Sequence, residues 1–120
     1  MSAVFPQAVI TDQYIFLSGT PGIDPVSGKI TSDDFEAQAR QCFANIKMIL
    51  EEAGSELSKV VKTTVFMVAG NDFSILNNVY SAYFPENPPA RSTIAAAGLP
   101  KGALVEIEIV AMLQPRAAID

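Results

Sequence analysis

The chain has 120 residues, a net charge of −5 and a composition that is 49% hydrophobic but only 18% charged. Its eight lysine and arginine residues are scattered, which disfavours nucleic-acid binding because that function needs clustered cations. One cysteine and no histidine exclude a disulfide framework and a multi-cysteine metal site, so any chemistry must use carboxylate, guanidinium, hydroxyl or amide groups.

The length predicts one domain over residues 1–120. Few charges on so small a chain favour an oligomer in which other subunits cover apolar surface, although a well-packed monomer is the alternative. The first ten residues hold no charge, and no apolar run approaches the ~18 residues of a membrane span. We therefore expect a cytoplasmic protein without a membrane segment.

The first half of the chain reads as two strands, a loop and a helix. Residues 7–10 and Tyr14–Ser18 are rich in β-forming residues, and 19–29 is broken by glycine and proline. Ser32 or Asp33 is the expected cap of an amphipathic helix that Gly54 ends. Cys42 falls inside this helix, where a buried apolar role is typical of a free cysteine.

The second half adds three strands and a helix. Strands are predicted over Val60–Val68, Ala90–Ala96 and Leu104–Leu113, and a helix capped by Asn71 or Asp72 over Phe73–Tyr83. Its inner stripe is predicted to contain Phe73, Leu76, Tyr80, Tyr83 and Phe84. The order β-β-α-β-α-β-β predicts an α+β fold, a mixed sheet with two helices on one face. The other face is still apolar and must find cover, a second argument for assembly.

Arg91 opens the strand after a Pro-Pro-Ala run. Its planar guanidinium could hold a small carboxylic acid by two parallel hydrogen bonds, or it could form a surface ion pair with an acidic residue. Asn77 falls on the stripe of the second helix, where its amide is either hydrogen-bonded to a neighbour or faces a wet cleft.

Glu106 and Glu108 alternate on one face of the last strand beside apolar residues. Either carboxylate could pair with Arg91 or Lys62, or act as a general base toward water. Ser18 closes the second strand, where its hydroxyl could donate to a ligand or cap its own turn. Backbone amides near Gly19 or Thr93 could polarise a carbonyl group.

Motifs along nearly the whole chain resemble the reactive-intermediate deaminase family, also called Rid or YjgF-like proteins and labelled endoribonuclease L-PSP. The matching segments are 16–19, 23–28, 38–41, 53–54, 61–66, 71–73, 89–93 and 99–108. The resemblance implies a chorismate-mutase-like fold, a homotrimer around a barrel-like core, and clefts at the subunit interfaces. It also implies hydrolysis of 2-imino acids such as 2-iminobutanoate and 2-iminopropanoate to 2-keto acids and ammonia, without a metal or organic cofactor.

The resemblance also implies roles for individual residues. Arg91 matches the arginine that binds the substrate carboxylate, and Glu106 matches the glutamate that positions the attacking water. Asn77 and Ser18 match residues of the cleft, and Thr93 stands where relatives often have cysteine or threonine.

The amino end departs from the family pattern, because Ala3–Ala8 replaces a Gly-Pro-Tyr-Ser-Gln-Ala motif. Phe5 stands where relatives have a tyrosine that lines the cleft. The phenylalanine keeps the aromatic ring but lacks the hydroxyl. That loss favours the alternative of a non-catalytic module that binds a keto acid. Ribonuclease activity is a third reading, disfavoured by the acidic balance and the lack of histidine.

Overall fold

The computed structural model describes residues 5–113, so Ala3 and Val4 of the amino-terminal departure lie outside the described residues. The strands are β1 (Ala8–Ile10), β2 (Tyr14–Pro21), β3 (Val60–Val68), β4 (Ala90–Ala96) and β5 (Val105–Met112). The helices are α1 (Phe35–Glu52) and α2 (Phe73–Tyr83), with short 3₁₀ turns at Leu57–Lys59 and Pro100–Gly102. The predicted order of elements and the α+β class are confirmed.

The five strands form one mixed sheet in the order β1-β2-β5-β3-β4. β3 and β4 are parallel and joined through α2, whereas the other neighbours are antiparallel. The short hairpin links and the single helical crossover account for this pattern, because parallel strands need a long connection.

Both helices pack on one face of the sheet, as predicted. Ile15, Val65 and Ile107 alternate toward that face and are fully buried with Phe43 and Leu76 of the helices. The strand residues between them point to the other face. Large apolar side chains stay exposed there, with Tyr14 at 37%, Phe16 at 44% and Ile94 at 46%. The exposed face is compatible with assembly, which stays a prediction.

Three sequence predictions are wrong in detail. The N-cap of α1 is Asp34, whose side chain accepts a hydrogen bond from Ala37 N. The hydroxyl of Ser32, one of the two predicted caps, instead accepts from Asp34 N before the helix begins. β2 runs on to Pro21 instead of ending at Ser18, because a bulge between Leu17 and Thr20 restores pairing with β5. Phe73 is 51% exposed, since it occupies the first position of α2 beyond the apolar stripe.

Several finer predictions hold. Asp72 caps α2 by accepting from Ser74 N, and hydrogen bonds from the hydroxyl and the backbone N–H of Ser74 lower the pKa of its carboxyl. Gly54 follows α1 with φ of +85°, the left-handed conformation that glycine adopts most easily. Cys42 is fully buried, and desolvation strongly raises the pKa of its thiol, with a smaller contribution from the charge of Glu106.

Among residues 5–113, no helix is long and apolar enough to cross a membrane. The same residues contain no group of three or more acidic, cysteine or histidine side chains that could hold a metal ion.

Replacing the observed cap of α1 tests the corrected helix start. Asp34→Ala removes the acceptor of Ala37 N and is expected to lower the free energy of unfolding in urea by about 1 kcal/mol. The matched control is Asp33→Ala, one residue earlier, which should change stability by less than about 0.5 kcal/mol. Equal losses in the two variants would contradict the assignment.

Candidate active site

Arg91 is held by three neighbours on the helix-covered side of the sheet. Its Nε donates to Thr93 Oγ1 at 2.7 Å, and its Nη1 donates to Asn77 Oδ1 at 2.8 Å. The guanidinium carbon lies 4.7 Å from the centroid of the Tyr80 ring, a cation–π distance. β4 supplies Arg91 and Thr93, and α2 supplies Asn77 and Tyr80, so the site lies where these two elements meet.

A buried hydrogen bond fixes the ring beneath the guanidinium. The hydroxyls of Tyr80 and Thr63 are 2.7 Å apart, and Thr63 is the register partner of Arg91 on β3. Thr63 is fully buried and Tyr80 is 6% exposed. Burial raises the pKa of Tyr80, so its ring stays neutral and can attract the cation through its π face.

Arg91 has no acidic partner in the described part of the chain. The ion pairs found there join Arg40 to Glu36 and Lys47 to Glu51. The surface ion pair considered from the sequence is therefore not formed. A half-buried guanidinium has five N–H donors, and two of them bind Thr93 and Asn77, so the others can donate to the carboxylate of a ligand.

Glu106 lies on the opposite face of the sheet. Its neighbours Val105 and Ile107 are fully buried toward the helices, so Glu106 and Glu108 alternate to the open face. Lys62 Nζ donates instead to Ser92 Oγ, and neither glutamate pairs with it or with Arg91.

The carboxylate of Glu106 lies directly over Gly19. A Cβ atom built on Gly19 would overlap Glu106 Oε1 and would lie 2.8 Å from Glu106 Cδ. The missing side chain of Gly19 therefore makes room for this carboxylate at the bulged end of β2, where Pro21 is the register partner of Glu106.

The electrostatic surroundings of Glu106 favour a proton acceptor. Partial burial raises the pKa of its carboxyl above the ordinary glutamate value, and the negative charge of Glu108 raises it further. A carboxylate with a raised pKa is a stronger base, which suits proton transfer from water.

One chain does not bring Arg91 and Glu106 together. Phe66 on β3 is the register partner of both Ile94 on β4 and Glu106 on β5. Arg91 lies three residues before Ile94, so it is two strands and three residues away from Glu106. At ~4.8 Å per strand and ~3.4 Å per residue, the two Cα atoms are roughly 14 Å apart, with side chains on opposite faces. No small acid could touch both groups within one chain.

The other predicted site residues divide between the two sides. Asn77 and Thr93 join Arg91, and both orient it through their side-chain oxygens. Ser18 Oγ donates to the carbonyl of Pro6 at 2.7 Å, so its hydroxyl fastens the segment beside Phe5. Phe5 is 61% exposed and, with Gly19 and Glu106, lines a cavity of about 420 Å³.

Sequence reasoning missed three residues at these positions. The sequence predicts Tyr80 only as part of the core stripe and Thr63 only as part of a strand, and it indicates a role for Gly19 only through its backbone amide. The spacing of Asn77 and Tyr80, about one helical turn apart, is the signal that would have placed the Tyr80 ring beside Asn77, a predicted site residue.

Comparisons with known proteins agree with this fold and these motifs. The sequence model of the family described as endoribonuclease L-PSP matches residues 1–113. The chain belongs to this family. It is 43% identical over 111 residues to the human 2-iminobutanoate/2-iminopropanoate deaminase, and this alignment covers 92% of this chain and 81% of that protein.

Solved structures are similar over nearly the full length. RidA from the Antarctic bacterium Psychrobacter superposes with a TM-score of 0.88 at 40% identity, covering 93% of this chain and 90% of that one. Escherichia coli TdcF with bound serine has a TM-score of 0.86 at 34% identity, covering 93% and 90%. The predicted family and fold are thereby confirmed.

The charge of Glu108 provides a test of the environment of Glu106. Glu108→Gln should lower the pKa of Glu106, because it removes one of the two causes of the increase, but leave it above the ordinary value, because burial persists. Carboxyl-carbon NMR titration of Glu106 measures this directly. Glu36→Gln on the exposed side of α1 is the control and should change nothing, and an unchanged Glu106 in Glu108→Gln would contradict the prediction.

Proposed function

We propose that this chain hydrolyses reactive 2-imino acids, such as 2-iminobutanoate and 2-iminopropanoate, to 2-keto acids and ammonia. The observation that carries the proposal is Arg91, a half-buried guanidinium held by Asn77, Thr93 and Tyr80 and lacking an acidic partner among the described residues. A planar cation prepared in this way matches the planar carboxylate of an imino or keto acid.

Glu106 is the proposed base. The iminium carbon is already electrophilic, so the protein needs to supply only an oriented water and a proton acceptor. Glu106 takes a proton as the water oxygen bonds to the iminium carbon, which gives a tetrahedral carbinolamine. Glu106 returns this proton to nitrogen, and its carboxylate then takes the proton of the carbinolamine hydroxyl as the carbon–nitrogen bond breaks. Ammonia leaves, the carbon–oxygen double bond of the 2-keto acid forms, and the last proton passes from Glu106 to ammonia or to solvent. No electron transfer is involved, and the reaction needs neither a metal nor an organic cofactor.

The site is proposed to form between copies of the chain. Arg91 and Glu106 point to opposite faces of the sheet, so a substrate that touches both must lie between the Arg91 side of one subunit and the Glu106 side of another. The exposed apolar residues of the open face, including Phe16 and Ile94, would be covered by the same assembly. The homotrimer implied by the family resemblance meets both requirements.

Relatives support the chemistry. The human, bovine and rat proteins with 41–43% identity to this chain are named 2-iminobutanoate/2-iminopropanoate deaminases. The TdcF structure holds serine, a small molecule with the carboxylate that Arg91 is proposed to bind. We also propose that residues 1–120 form a single domain and that the protein is cytoplasmic. Scattered cations and an absence of histidine argue against ribonuclease activity, despite the family label.

The test is a coupled assay in which threonine dehydratase generates 2-iminobutanoate and release of 2-ketobutyrate is followed. The wild-type protein should accelerate release. Arg91→Lys, which loses the planar fork, should reduce kcat/KM about 10- to 100-fold. Glu106→Gln should reduce kcat about 100-fold or more. Arg40→Lys is the matched control, because Arg40 forms an exposed ion pair with Glu36 on α1.

Lack of acceleration by the wild-type protein would contradict the proposal. Calorimetry with 2-ketobutyrate would then separate two outcomes. Binding without turnover would favour a non-catalytic module that senses a metabolite, and loss of that binding in Arg91→Lys would keep the ligand at the same cation.

A further inference from the structure

The cavity beside Glu106 extends well beyond the reacting groups. It has a volume of about 420 Å³ and continues from Gly19 and Glu106 toward α1. The part of its wall on α1 and on the loop after β2 includes the apolar side chains of Ile23, Ile30, Met48 and Ile49, of which Met48 is 41% exposed. Cavities of about 300–1,000 Å³ commonly hold drug-sized ligands, so this one is larger than a methyl or ethyl group fills.

Two side-chain amides line the cavity, those of Gln7 and Asn45. Gln7 is exposed, and the buried Asn45 has no donor to offer a ligand. Asn45 Nδ2 donates to the carbonyls of Pro21 and Ile23, at 3.1 and 2.8 Å, and its Oδ1 accepts from Gln41. Both N–H groups therefore hold the loop that follows β2. The cavity offers the ligand mainly apolar surface, which favours a hydrocarbon group over a polar one.

The groups attached to the reacting carbon of the substrate indicate what this cavity would hold. On the proposed function, the carboxylate of the substrate meets Arg91 and the water comes from the side of Glu106. The remaining carbon substituent, the side chain, must leave the reacting centre along another path. Glu106 is itself part of the cavity wall, so a substrate that meets the water beside Glu106 would have its reacting carbon next to this apolar space.

We propose that this cavity is the side-chain pocket of the site and that the preferred substrates are 2-imino acids with branched or extended apolar side chains, such as the imine of leucine. The inference rests on the proposed function and deepens it. Each buried methylene contributes about a fourfold gain, so a leucine-derived imine should exceed an alanine-derived one in kcat/KM by at least tenfold.

An acidic side chain is the competing ligand class. Lys101 also lines the cavity, but it is exposed, and it shares the wall with the carboxylate of Glu106. A second carboxylate on the substrate would meet Glu106 as well as Lys101. The mainly apolar wall therefore favours a hydrocarbon side chain.

The experiment compares imines generated in the same way. One L-amino-acid oxidase, with catalase present, produces the imines of leucine, alanine and glutamate, and semicarbazide traps whatever the protein has not hydrolysed. Met48→Trp and Ile30→Phe narrow the pocket, and each should lower the leucine-to-alanine ratio of kcat/KM at least fivefold. Val26→Trp is the control: Val26 is 94% exposed in the same loop, outside the cavity wall.

A wild-type ratio of one or less would overturn the proposal, as would a preference for the glutamate imine. Unchanged ratios in both folded variants would also overturn it. Failure of the proposed function gives a different result, because no imine is then consumed faster. In that case calorimetry decides: 4-methyl-2-oxopentanoate should bind at least tenfold more tightly than pyruvate, and Met48→Trp should remove the difference, whereas equal binding would overturn the pocket assignment.

Discussion

The alternation of side chains across the sheet is the constraint on which the proposed chemistry depends. Successive strand residues point to opposite faces, so Arg91 on β4 faces α2 while Glu106 on β5 faces away from both helices. The cation and the base that the proposed mechanism brings to one small substrate are therefore separated within one chain. The proposed mechanism therefore requires assembly, and burial of the exposed apolar side chains of the open face would favour it.

The two halves of the site are prepared by different means. Arg91 is oriented by the hydrogen bonds of Asn77 and Thr93 and by the Tyr80 ring, which Thr63 fixes in turn. Glu106 is prepared by its surroundings, because burial and Glu108 raise its pKa and Gly19 gives its carboxylate room. Arg91 therefore keeps N–H donors free for an anion, and Glu106 keeps a raised pKa that suits proton transfer from water.

The regular elements could be predicted from the sequence because their patterns are local. The stripe from Phe35 to Leu50 indicates α1, and the β-branched run from Val60 indicates β3. Arg91 and Glu106 could be singled out by residue type and family resemblance. Their opposite faces, the support of Tyr80 by Thr63 and the bulge after Leu17 depend on strand register and packing. A local sequence pattern contains little information about contacts between distant residues. The pattern also could not distinguish Asp34, the observed cap of α1, from the adjacent Asp33, because the two acceptors differ only in their geometry in the folded chain.

Subunit mixing tests most directly whether the site is shared between chains. Arg91→Ala and Glu106→Gln are each expected to be inactive alone, but unfolding and refolding them together in equal amounts would create hybrid assemblies. If each site takes Arg91 from one subunit and Glu106 from another, random mixing restores about a quarter of the wild-type sites. Recovery of deaminase activity near that level is the predicted result. Hybrids confirmed by mass spectrometry that stay inactive would contradict the account.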